Sequence, residues 1–191
     1  MAVEVHPATP ARRGDVARLL NPGGGPACWC LYYRMTSGDY NRAAHEDRPA
    51  IMAERLAVSP APGMLAYVDG EPAGWCGFGP RHEMARLGRS RTIPAVDARP
   101  VWSVVCFLVR PGHRRQGITR VLLDGVVSYA RALGAAGLEA YPVDPAGERI
   151  HQTAAYVGTT ALFEAAGFRR VVRSESTSAR LPRWVMRLDL P

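Results

Sequence analysis

The stretch Val109-Arg110-Pro111-Gly112-His113-Arg114-Arg115-Gln116-Gly117-Ile118-Thr119-Arg120-Val121-Leu122-Leu123 joins an apolar run to a helical pattern through a basic, glycine-containing bend. Upstream, Val101 to Val109 is rich in β-branched and aromatic residues and reads as a strand. Downstream, Ile118, Leu122, Val126, Tyr129 and Leu133 recur at helical spacing. The basic segment therefore falls at a helix N-terminus. There the first main-chain N–H groups have no intrahelical partner and the macrodipole favours negative charge. Such a bend can bind a diphosphate through main chain alone, and Gly117 lets the ligand come close to the backbone.

Composition bounds what surrounds this bend. A chain of 191 residues with 47% hydrophobic content is long enough for a single domain, residues 1–191. A domain of that size buries roughly 70% of its unfolded surface. No apolar run reaches the roughly 20 residues a membrane helix needs, and the first residues lack a basic segment followed by an apolar core. The expectation is a cytoplasmic protein with no membrane partner. Cys76 and Cys106 sit in apolar strand-like runs, which fits a reducing compartment. Cys28-x-Cys30 has no second ligand pair near it, so no metal is expected. The net charge is +7, and all 24 basic residues are arginine. A positive field suits an anionic ligand. Nucleic acid is not expected, because the arginines are scattered rather than grouped with stacking aromatics.

Along the chain, Val3 to His6 reads as a strand and Pro10 to Leu20 as a helix, followed by a Gly/Pro loop at Asn21 to Pro26. A helix near Ala43 to Val58 comes next. Met64 to Val68 and Ala73 to Phe78 flank Asp69-Gly70, a hairpin signal. Gly79 to Pro100 is polar and arginine-rich. After the motif helix, capped by Gly134, come a strand at Gly137 to Val143, a loop from Asp144 to Gln152 and a helix at Tyr156 to Ala166. Arg169 to Arg173 and Trp184 to Leu188 complete the order as a hairpin.

Strand, Val109-x-Pro111, then Arg114-x-x-Gly117-x-Thr119 and a long helix resembles motif A of the GNAT superfamily of acetyl-CoA-dependent N-acetyltransferases, usually written Gln/Arg-x-x-Gly-x-Gly/Ala. Thr119 departs from it at the last position. Leu162-Phe163-Glu164-Ala165-Ala166-Gly167-Phe168 is similar to the family's Leu-Tyr-Glu-x-x-Gly-Phe segment, with Phe163 in place of tyrosine. The resemblance covers nearly the whole chain. It implies an α/β (α+β) GNAT fold, with a mixed, mostly antiparallel sheet of about six to seven strands flanked by helices.

The resemblance also implies roles. The pantetheine arm of acetyl-CoA would run beside Phe107, Leu108 and Val109, and the diphosphate would meet the N–H groups of Arg115, Gln116, Gly117, Ile118, Thr119 and Arg120, with charge from Arg114 and Arg115. A phenyl ring at Phe163 cannot protonate the departing thiolate, which leaves Tyr156 or water as the proton source. Relatives place a glutamate base early in the motif strand, where this chain has Ser103, or on the next strand, at Tyr141; Glu139 shares the Tyr141 face. Cys106 would permit a covalent route, although a buried strand cysteine usually behaves as a small hydrophobe.

In this fold the acceptor pocket is usually built from the early helices and the loop before the motif strand. That points to Cys28 through Arg34 and Gly79 through Arg91, with Trp29, Tyr32 and Glu83 as substrate-binding candidates. The leading expectation is direct acetyl transfer from acetyl-CoA to a primary amine of a small molecule or peptide in a ternary complex. The rival is a non-catalytic acyl-CoA-binding or regulatory module on the same scaffold. A homodimer is compatible with either.

Overall fold

A computed structural model describes residues 2–147 and 150–191. Seven strands form one sheet: β1 (Val3–Pro7), β2 (Gly63–Val68), β3 (Glu71–Pro80), β4 (Trp102–Val109), β5 (Gly137–Ala140), β6 (Arg169–Ser178) and β7 (Leu181–Asp189). Their order is β1-β2-β3-β4-β5-β7-β6, and only β4 and β5 run parallel. The helices are α1 (Arg13–Leu20), α2 (Ser37–Arg42), α3 (Arg48–Leu56), α4 (Ala85–Gly88), α5 (Ile118–Ala132), α6 (Gln152–Ala155) and α7 (Thr160–Ala165).

Burial of apolar stripes explains the layering. On α5 the residues Ile118, Leu122, Leu123, Val126 and Ala130 are buried, and with Phe163 of α7 they join a core on one face of the sheet. On the other face, Leu19 of α1 and Met52 of α3 cover Leu65 and Trp75. Strand side chains alternate between these layers. Phe107 and Val109 accordingly face the α5 core, while Cys106 and Leu108 face the α1 and α3 layer.

Two irregularities open the middle of the sheet. Gly77 pairs with Cys106 while Phe78 pairs with Val104, so Val105 is an extra residue that bends β4. β4 meets β5 only from Trp102 to Val104, against Leu138 to Ala140, and its second half has no strand on that side. β5 stops earlier than the sequence predicts because Pro142, just beyond it, has no N–H for a ladder.

The helix expected at Tyr156 to Ala166 is instead broken. Gly158 has φ +78°, and Thr159 caps α7 by accepting from Leu162 N–H at 3.3 Å. The break turns the Tyr156 carbonyl towards the open flank of β4, where it accepts from Phe107 N–H at 2.6 Å. Between the first two strands, α2 is an additional helix, and α3 covers only Arg48–Leu56 of the expected Ala43 to Val58 span. The final hairpin is longer than expected and turns through Ala179 and Arg180, both left-handed.

Candidate active site

The bend after β4 forms an anion cradle. Gly112, Arg115 and Gly117 all have positive φ, at +89°, +60° and +79°, and Gly117 caps the N-terminus of α5. Successive residues of this kind aim main-chain N–H groups into one concavity. From Arg114 to Thr119, none of these N–H groups has a hydrogen-bond acceptor among the described residues. A bare glycine at position 117 leaves open space where a side chain would stand. The cradle is thus chemically suited to a diphosphate.

A groove of about 360 Å³ runs from this bend along β4, lined by Phe107, Leu108, Val109, Arg114 and Thr119 and closed by Cys28, Cys106, Ala155 and Tyr156. Thr119 therefore sits at the groove itself. Arg114 reaches back, its Nε donating to the Val109 carbonyl at 3.1 Å, and Gln116 Nε2 donates to the Gly112 carbonyl at 2.8 Å. These bonds shape the bend. The Arg120 guanidinium points elsewhere: it pairs with Asp124 at 2.9 Å and caps α7 through the Ala165 carbonyl at 2.5 Å. The Ile118 side chain is core. Only a main-chain role remains for Ile118; the Arg120 N–H, expected to meet the diphosphate, instead donates to the Gly117 carbonyl at 2.9 Å, and Phe107 N–H is already committed to Tyr156.

Beyond the groove lies a narrow apolar cleft of about 260 Å³, lined by Cys28, Cys30, Tyr32, Tyr33, Val105, Cys106 and Tyr156. It opens towards a wide polar cleft of about 760 Å³, which shares Tyr32, Tyr33 and Tyr156 with it. Tyr156 lines all three spaces. Burial pushes its phenol pKa up, and the neighbouring Tyr33 pushes it further. The hydroxyl consequently stays protonated at neutral pH.

The turn carrying the early aromatics is strained. Trp29 and Cys30 are consecutive left-handed residues, at φ +51° and +56°, a conformation that costs an L-residue about 1–2 kcal/mol. The arrangement buries Trp29 in the α1 and α3 core and sends Cys30 against Gly77 and Cys106. Hydrogen bonding to Cys106 lowers the Cys30 pKa, while that bond and burial raise Cys106 well above the usual thiol range. Cys106 is thus the protonated partner and a poor nucleophile.

Three sequence candidates form a separate structural network. Glu139 is fully buried, with one carboxylate oxygen 2.6 Å from Arg187 Nη2 and the other 3.2 Å from Tyr141 Oη and 3.3 Å from Arg81 Nε. Ser103 and Tyr141 are buried too and share a 2.7 Å hydrogen bond. Burial, then the Glu139 charge, drives the Tyr141 pKa up. None of the three lines a cleft described above, so Glu139, Tyr141 and Ser103 are corrected from base candidates to parts of a buried ion-pair network. A fully buried carboxylate held by two guanidiniums and a phenol, and lining none of these clefts, is out of reach of a substrate proton.

The acceptor candidates divide. Tyr32 lines both clefts, whereas Trp29 is core and Glu83 stands outside them, 3.8 Å from Arg55. Arg34 is also structural: its Nη2 holds the Pro62 and Phe78 carbonyls at 2.5 and 2.7 Å. Tyr33, within the Cys28 to Arg34 segment that the sequence pointed to, lines both clefts as well, whereas sequence reading missed Arg183. In β7 the buried residues Arg183, Val185 and Arg187 alternate, so the signal was an arginine on the inward register of an apolar strand.

A splayed parallel pair, a bulged β4 and an amide cradle at the following helix define an acyltransferase scaffold of the GNAT type. The sequence agrees: residues 28–154 match the model of the acetyltransferase (GNAT) family, and the chain belongs to that family. A search of curated protein sequences finds no match. Among solved structures, a GNAT-family acetyltransferase from Streptococcus pneumoniae is similar over 100% of both chains, with TM-score 0.60 and 15% identity. A putative acetyltransferase from Salmonella typhimurium, solved with its cofactor acetyl-CoA, gives 0.59 and 18% over 100% of this chain and 95% of that one. Ribosomal-protein-alanine N-acetyltransferase from Brucella melitensis gives 0.58 and 19% over 98% and 99%. No helix among the described residues is long and apolar enough to cross a membrane.

Proposed function

We propose that the chain transfers the acetyl group of acetyl-CoA to a primary amine of a small molecule or peptide, by direct attack in a ternary complex. The observation that carries this reading is the row of unsatisfied N–H groups from Arg114 to Thr119, opening on a groove that continues into a second cleft through Tyr156. When bound, acetyl-CoA supplies an activated thioester carbonyl. The protein's own groups do the rest. The cradle holds the diphosphate, and Phe107, Leu108 and Val109 orient the pantetheine arm. Tyr33 and Tyr32 flank the amine where the narrow cleft meets the wide one. Tyr156 holds a proton at Oη for the leaving thiolate, taking the part that Phe163, packed 5.1 Å from Phe168 and fully buried, has no hydroxyl to play.

No carboxylate among the described residues lines the narrow cleft. The amine therefore gives up its proton to solvent through the open wide cleft. The test is free-thiol release from acetyl-CoA with a panel of amines. Release that depends on the amine supports transfer. Tight acetyl-CoA binding without release across the panel favours the non-catalytic module, a reading supported by Phe163 and by the occupied carboxylate of Glu139.

A further inference from the structure

The wide cleft is unusually cationic. Arg42, Arg86, Arg89 and Arg183 line it, and among the described residues Asp39 is its only acidic lining residue, already bonded to Arg42 at 2.5 Å. Arg86 is held in place, its guanidinium 3.9 Å over the Tyr32 ring, Nε on the Tyr32 carbonyl and Nη1 on Ser37 Oγ, both at 2.6 Å. Arg183 is the telling member. It is 4% exposed, and its neighbours are all neutral: Nε donates to the Tyr141 carbonyl at 2.8 Å, and Nη1 to Tyr33 Oη at 3.1 Å and Ser176 Oγ at 3.4 Å. Nη2 is buried without an acceptor, and no carboxylate among the described residues pairs with the group. A buried cation normally carries a counter-ion, because removing it from water alone is expensive.

We propose that the missing counter-ion is on the substrate: the acceptor amine carries an oxyanion, a carboxylate or its phosphonate analogue, received by Arg183 with Arg86 and Arg89 adding field. A planar guanidinium matches such a group bidentately. Hydroxyls of Ser90, Thr92, Ser176 and Thr177 line the same space and can hydrogen-bond the remaining oxygens. Because Tyr33 and Tyr156 line both clefts, the anion lies on the wide side and the amine on the narrow side. The word acceptor rests on the transfer reading above, but the anion site does not.

The experiment titrates the full chain, saturated with coenzyme A, with α- and ω-amino acids of graded length, their phosphonate analogues and the matched primary amides, by calorimetry. The acids bind at least about tenfold more tightly than their amides, as expected for charge-assisted hydrogen bonds to a desolvated guanidinium. Arg183→Gln abolishes the preference. Arg89→Ala, at an exposed position, weakens it partially and serves if Arg183→Gln does not fold. Equal binding of acids and amides overturns the proposal, as does a preference that survives both substitutions. Thiol release, measured in parallel, separates the two claims. Acetylation of amides as fast as acids leaves the transfer reading standing and removes this one. Arg183-dependent acid binding without any thiol release does the reverse.

Discussion

Arg183 and Arg187 stand four residues apart on β7, on the same face, 4% and 3% exposed, yet their surroundings differ in kind. Arg187 meets two carboxylates, Glu139 at 2.6 Å and Asp97 through both of its oxygens. Arg183 meets only a carbonyl and two hydroxyls, beside a large cleft. A buried charge completed by the protein belongs to the architecture, and one left incomplete beside a cavity belongs to a ligand. The same contrast runs through the rest of the molecule. Glu139 has every oxygen occupied, whereas the amides from Arg114 to Thr119 have no acceptor.

The largest expected effect tests that contrast on stability. Arg187→Met leaves Glu139 short of a buried partner and costs about 3–5 kcal/mol in urea unfolding. Arg183→Met removes a buried cation that lacks an anion and changes stability by less than about 1.5 kcal/mol, since lost hydrogen bonds are offset by relieved desolvation. Equal losses at the two sites would break the comparison.

Next in size is Tyr156→Phe, which lowers kcat about a hundredfold, the lower end for a general acid, with little change in acetyl-CoA affinity. Its raised pKa sets the sign of the pH profile: the phenol is a donor when protonated and is lost only above its folded pKa. Turnover thus climbs as the acceptor amine deprotonates and does not fall below about pH 10. An unchanged kcat in the variant, or a wild-type decline starting near neutrality, contradicts the assignment.

The smallest effect concerns Asp97, whose hydrogen bonds to Arg187 hold its pKa down at about 2. An unfolded aspartate titrates near about 3.9, so this contribution is fully present above that pH and disappears as pH falls through the folded value. The wild type should lose stability between about pH 4 and 2 more steeply than Asp97→Asn. Superimposable acid transitions would show that the partly exposed half of the network adds nothing.

The backbone of the proposed donor half was legible because its pattern is local. A strand, a glycine with positive φ and a helix start are written in consecutive residues, and Val109 to Leu123 folds as that pattern predicts. The mostly antiparallel sheet of about six to seven strands followed from the family resemblance, whereas the β5-β7-β6 order at its edge did not. What sequence could not reveal depends on long-range pairing. Glu139 is occupied only because β7 brings Arg187 beside it, and Arg183 meets Tyr33 across 150 positions of chain. Trp29 reads as a pocket wall until two left-handed residues turn it into the core. Helix patterning also concealed the break at Gly158, since apolar spacing continues through it while the backbone does not.

Calorimetric titration of acetyl-CoA into the wild type, Gly117→Ala and Gly117→Glu tests the cradle most directly. The alanine carries the left-handed strain but meets nothing within 4 Å, so it isolates the backbone cost. The account predicts that Gly117→Glu binds at least about tenfold more weakly than Gly117→Ala, because its carboxylate enters the space of the diphosphate. Equal affinities for the two variants would contradict it.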